Sequence, residues 1–133
     1  MAVKVAKAKQ LSFSLPNKIG LMFEVAEALA AAGVNIEAIC VYEMEEEGYF
    51  MIVPDNAAKA KKVIMKMAGE IKSVDVFYVE VPNKPGQLQA VSKKIADAGV
   101  DIEYIYGSPG KGKTATLVFK TDDDRKAIKA LSA

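Results

Sequence analysis

The chain has 133 residues, with 18 Lys and Arg against 17 Asp and Glu, no histidine, no tryptophan and one cysteine, Cys40. That length holds one ordinary domain or two very small ones, since domains run at about 100–200 residues. The missing histidine excludes Ser-His-Asp and Cys-His relays, the single cysteine excludes an internal disulfide or multi-thiolate zinc site, and a net charge of +1 argues against a broad basic nucleic-acid face.

From the N-terminus, Met1–Gln10 is Lys-rich without the apolar core of a signal peptide, and no stretch reaches the ~18 apolar residues of a membrane span. Leu11, Phe13 and Leu15 alternate with serines, the period of a half-buried strand. A turn leads to a helix whose apolar stripe reads Ile19, Met22, Phe23, Ala26, Leu29 and Ala30. Gly33 stands where a left-handed residue stops a helix, with Val34 as its apolar partner. Strands follow at Asn35–Tyr42, which carries Cys40 as an inert buried thiol, and at Tyr49–Val53 across a hairpin holding Glu45–Glu47. Asn56 caps a helix with Ala60, Val63, Ile64 and Met67, and Ile71–Val76 is a further strand.

The order then recurs. Phe77, Val79 and Val81 alternate, and Pro85 fits a first helical position ahead of Leu88, Val91, Ile95 and Ala98. Gly99 and Val100 repeat the stop, strands are expected at Asp101–Tyr106 and Ala115–Phe119, and Asp122 caps a helix with Ala127, Ile128 and Leu131. An offset of 66 residues lays Pro16 on Pro82, and from position 16 to 39 it gives 12 identities in 24 without a gap. Shared turn residues in register mark an internal duplication.

Strand-helix-strand-strand-helix needs one more strand to close a split βαβ sheet. Ile71–Val76 supplies it for the first repeat, while none remains for the second before Ala133. Because Val3–Ala8 aligns with Gly69–Val74, the N-terminal strand is expected to complete the second repeat. Two long strands, Val3–Leu15 and Ile71–Val81, would then cross between sheets, within one chain or between two.

Pro-Asn-Lys-x-Gly, at Pro16–Gly20 and Pro82–Gly86, reads from spacing alone as turn chemistry, with Asn folding onto its own backbone. Together with Ala98-Gly99-Val100-Asp101-Ile102-Glu103-Tyr104, however, Val81–Leu88 resembles the ACT domain, and nearly the whole chain resembles a tandem pair without a catalytic domain. The resemblance implies an α+β fold of two ferredoxin-like βαββαβ domains with antiparallel sheets, spanning 9–76 and 77–133, the second completed by strand 3–8. It also implies a cytoplasmic, allosteric regulatory protein, a homodimer without enzymatic activity or cofactor. A free amino acid would bind between paired domains, and the regulated enzyme or transcriptional partner is unspecified.

In such a site the backbone at Lys18, Ile19, Gly20 and Leu21, and at Lys84, Pro85, Gly86, Gln87 and Leu88, would hold the ligand carboxylate at a helix start, and the side chains of Asn17 and Asn83 would hold its polar groups. Asn35 and Ile36, or Asp101 and Ile102, of a paired domain would face the ammonium and side chain, Asp101 being the stronger ammonium partner. The repeats differ at Ile19 against Pro85 and Asn35 against Asp101, so two sites would differ in affinity or selectivity.

Other signals point elsewhere. Gly107–Thr114 fits the P-loop formula letter for letter, but an alternating strand follows where that loop needs a helix, and a glycine-rich hairpin is expected. Gly48–Val53 has the look of an RNA-recognition strand, yet Glu45–Glu47 beside it would repel phosphate. Asp122-Asp123-Asp124 is read as a negative first helical turn rather than a metal site. A phosphate or nucleotide binder using Gly107–Thr114 and a ligand-free structural adaptor stand as the alternatives to an amino-acid sensor.

Overall fold

The computed structural model describes residues 4–107 and 112–132. Its elements are β1 (Lys4–Pro16), α1 (Leu21–Ala31), β2 (Ile36–Met44), β3 (Glu47–Pro54), α2 (Ala57–Ala68), β4 (Lys72–Pro82), α3 (Gln87–Asp97), β5 (Ile102–Gly107), β6 (Thr114–Thr121) and α4 (Asp124–Ser132). This is the α+β, ferredoxin-like strand and helix order expected from the repeat. The chain divides into two compact units, Lys9–Val74 and Met1–Ala8 with Asp75–Ala133.

In the Lys9–Val74 unit, β3 pairs antiparallel with β1 on one side and β2 on the other. Alternation sends Leu11, Phe13, Leu15, Phe50 and Ile52 to one face, where Val25 and Leu29 of α1 and Ala60 and Ile64 of α2 close the core. Phe13 and Phe50 stand opposite each other, their rings stacked at 4.8 Å. Ile71 packs at the edge of this cluster.

The other unit repeats the scheme. β6 lies between β4 and β5, Phe77 faces Phe119 with ring centroids 5.4 Å apart, and Val91, Ile95, Ala127 and Leu131 cover them. Val5 of β1 packs against this second cluster. Each edge strand is irregular at the matching place, between Ile36 and Ala38 and between Ile102 and Tyr104.

Both repeats end their first helix alike. The N–H of Val34 donates to Leu29 O and that of Gly33 to Ala30 O; Val100 and Gly99 do the same to Ile95 O and Ala96 O. This double bond pattern needs a left-handed residue, and Gly33 and Gly99 have φ of 76° and 73°.

Three expectations are corrected. The buried face of α1 is Leu21, Val25 and Leu29, while Ile19, Met22 and Phe23 are exposed. α1 is so uniformly apolar that composition leaves its phase open; the repeat fixes it, because Val25 and Leu29 align with the buried Val91 and Ile95. Pro85 is not the first helical residue: α3 opens at Gln87 behind an N-cap at Gly86, and Leu88 is half exposed.

Nor does Asp122 cap α4. Asp123 accepts from the Lys126 N–H at 3.0 Å, as Asn56 accepts from Lys59 at 3.1 Å, because the second repeat is one residue longer at its hairpin. Asp122 instead accepts from the Asp101 N–H at 3.0 Å, and Asp124 from the Thr121 N–H and hydroxyl. Asp123→Ala should therefore cost about 1 kcal/mol, the worth of a helix cap. The loss should appear as faster hydrogen exchange in the first turn of α4, with Asp122→Ala leaving that turn protected.

Candidate functional site

The turn between β1 and α1 is held by its own backbone. The Asn17 N–H donates to Glu46 O of the hairpin at 2.8 Å, and Leu21 N–H donates back to Lys18 O at 3.2 Å. Gly20 takes the N-cap in the left-handed region, φ 87°, where other residues are strained. Without a side chain it offers α1 no cap acceptor, and with the Leu21 N–H given to Lys18 O the Met22 and Phe23 amides are those left at the helix start.

Beside this helix start is a cavity of about 280 Å³. The turn contributes Asn17, Lys18 and Gly20, and α1 contributes Leu21 and Met22. The opposite wall is strand: Val41, Tyr42 and Glu43 of β2, with Gly48 and Phe50 of β3. Val41 and Phe50 are direct cross-strand partners and so share a face. Gly48 is not in a glycine-only conformation; its lack of Cβ matters for space. A Cβ there would lie 3.1 Å from Leu21 Cδ2, 3.4 Å from Phe50 Cε1 and 3.7 Å from Asn17 Oδ1.

Charge around this cavity is partly committed. Lys18 Nζ pairs with Glu24 at 2.9 Å, both side chains largely exposed, a pair worth about 0–1 kcal/mol. One oxygen of Glu43 accepts from the Glu46 N–H at 3.0 Å. The helix-start amides thus face an apolar wall with a carboxylate on the strand side, an arrangement able to hold a small zwitterion.

Of the residues expected from the sequence, Asn17, Lys18, Gly20 and Leu21 meet here, and Ile19 projects fully into solvent. Asn35 and Ile36 do not line the cavity. Asn35 exchanges hydrogen bonds with Asp55, giving its N–H to Asp55 Oδ1 at 3.0 Å and accepting from Asp55 N–H at 2.9 Å, and Ile36 packs on the core. The strand residues Val41, Tyr42, Glu43, Gly48 and Phe50 escaped sequence reasoning, since only register brings them to the turn. A glycine at the second position of β3, ahead of an apolar run, was the one local signal of close approach.

In the second repeat, Asn83 takes the place of Asn17. Its N–H donates to Lys113 O at 2.8 Å and its Nδ2 to Gly112 O at 3.0 Å. Lys84 and Pro85 are exposed, and Gly86 caps α3 with φ 88°. Gln87 stands where the first repeat has Leu21, and its buried Oε1 has no hydrogen-bond partner among the described residues. Asp101 exchanges backbone bonds with Asp122, and Ile102 packs on the second core.

Ser108–Lys111, the centre of the P-loop-like segment, lie outside the described residues. On either side, Gly107 pairs with Leu117 and Thr114 opens strand β6, so no helix begins where such a loop needs one. Among the described residues no three His, Cys, Asp or Glu side chains gather as a metal site, and no helix is long and apolar enough to cross a membrane.

A family model described as an ACT domain pair matches residues 6–131. No curated protein matches the chain. A crystallised protein from Bacteroides thetaiotaomicron is similar at 32% identity over 96% of this chain and 88% of its own, with a TM-score of 0.86. The regulatory subunit of aspartate kinase from Thermus thermophilus, in a ligand-free form, shares the fold at TM-score 0.72 and 16% identity, covering 99% of this chain and 96% of its own. The aspartokinase alpha and beta subunits give 0.70 at 16% identity, covering 98% and 95%.

Proposed function

The chain belongs to the ACT domain pair family, and from that premise we propose that it is a non-catalytic regulatory protein that senses a free amino acid. The observation that carries this reading is the cavity between the Asn17–Met22 turn and the Val41–Glu43 strand, where amides, a carboxylate and an apolar wall converge. The Thermus thermophilus neighbour is a regulatory subunit, which supports a regulatory rather than a catalytic role. The ligand sits at an interface between paired domains of a cytoplasmic homodimer.

The same reading assigns residues 9–76 to one domain and 77–133 to the other, the second completed by strand 3–8. Packing of Val5 on the second core and of Ile71 on the first supports that exchange.

Calorimetry of the full chain against the twenty amino acids and ATP tests the function. An amino acid should bind, and Asn17→Ala should weaken it about tenfold by removing a polar contact worth roughly 1.4 kcal/mol. ATP binding that is lost on Lys113→Ala would replace this reading with the nucleotide one. Silence from every ligand would leave a structural adaptor.

A further inference from the structure

The two repeats differ at two places that bear on this cavity. By strand register Gly48 stands opposite Leu15 in β1, and Ala115 stands opposite Val81 in β4, so Ala115 occupies the place of Gly48. The Cβ absent from Gly48 would enter the gap between Leu21, Phe50 and Asn17, three groups that line the cavity. The second repeat carries that Cβ. It also sets Gln87, whose carbonyl has no partner among the described residues, where the first has the apolar Leu21.

Resting on the amino-acid reading above, we propose that the first-repeat cavity is the selective site. It takes an amino acid with an uncharged aliphatic side chain, Gly48 sets the size admitted, and the second repeat holds no equal site. Volume is the first argument: the pocket, about half open to solvent, holds about 280 Å³, under the ~300–1,000 Å³ of drug-sized ligand pockets, so only a small ligand fits.

The chemistry of the walls is the second. Leu21, Val41 and Phe50 present carbon, and Lys18, the one cation lining it among the described residues, is already paired with Glu24. Glu43 keeps one carboxylate oxygen beyond the bond it accepts from Glu46, and that oxygen takes the ligand ammonium. The first-turn amides of α1 take the ligand carboxylate. A charged or hydroxylated side chain directed at Leu21, Val41 and Phe50 would then lie against carbon, which disfavours it.

The test is calorimetry of the full chain with L-valine, L-leucine, L-isoleucine and L-methionine, set against L-lysine, L-aspartate and L-threonine. The aliphatic group should bind more tightly, at one equivalent per chain. Gly48→Ala should weaken binding about tenfold or more, the scale of one methyl group in an apolar pocket, and by more than Ser14→Ala on the same strand pair, a control away from the cavity, even where the added Cβ presses on Leu21 and lowers the ligand-free melting temperature. Glu43→Gln should also weaken it, and Ala115→Gly should not change it. Preference for a charged or hydroxylated amino acid, two equal sites per chain, or indifference to Gly48→Ala would overturn this proposal and leave the amino-acid reading standing. Silence from all amino acids would remove that reading and this proposal together.

Discussion

Truncating Phe119 to alanine is expected to cost about 3–5 kcal/mol, a large part of the 5–15 kcal/mol that holds a typical domain folded. Phe119 is fully buried in the middle strand of its unit, stacked on Phe77 with an interplanar angle of 5°. Alanine there removes a ring from the core that also holds Val91, Ile95, Ala127 and Leu131, and backbone pairing of β6 on both sides prevents the sheet from closing the hole. Urea unfolding should show a lowered midpoint. Amides of α3 and α4 should exchange faster before those of α1 and α2 do, because Phe119 touches only the second cluster. Phe119→Leu, which keeps most of the volume, should recover the greater part of the loss. A midpoint within the error of the parent would show that the ring is not central to this core.

The order of elements was legible because the chain states it twice. Alternation at Leu11, Phe13, Leu15 and at Phe77, Val79, Val81 marks strands whose apolar faces are the ones buried. Gly33-Val34 and Gly99-Val100 mark helix ends that carry the paired backbone bonds expected of them. Phase failed where the signal was saturated: α1 has apolar residues on every side, so nothing in its own composition separates Leu21 from Met22. Cap identity failed for a different reason. One added residue in the second hairpin moves the register by one, and Asp123 rather than Asp122 inherits the place of Asn56.

The candidate site was half legible. Turn residues are contiguous in sequence, so Asn17, Gly20 and Leu21 could be named from the repeated motif. The wall across from them depends on which residues of β2 and β3 stand opposite the turn, which is a matter of register between segments more than twenty residues apart. Asn35 and Asp101 drew attention as polar residues at strand starts. Their backbones serve as clamps, each exchanging hydrogen bonds with the Asp that precedes a helix cap, Asp55 or Asp122.

Charge placed at Val5 should discriminate between the two cores. Val5 lies half-buried in β1, eight residues before Phe13, yet packs against the second cluster and not the first. Ile71, in the segment leading into β4, packs against the first. If the two strands exchange as proposed, Val5→Asp puts an unpaired carboxylate against the core of Val79 and Leu131, at a cost of about 2 kcal/mol. Ile71→Asp does the same to the core of Leu29 and Ile64. Native-state hydrogen exchange should then show crossed effects, Val5→Asp loosening α3 and α4 and Ile71→Asp loosening α1 and α2. Loosening of α1 and α2 by Val5→Asp would instead mean that the N-terminal strand belongs to the repeat it precedes. The second repeat would then lack a fourth strand, with the edge of its sheet left open.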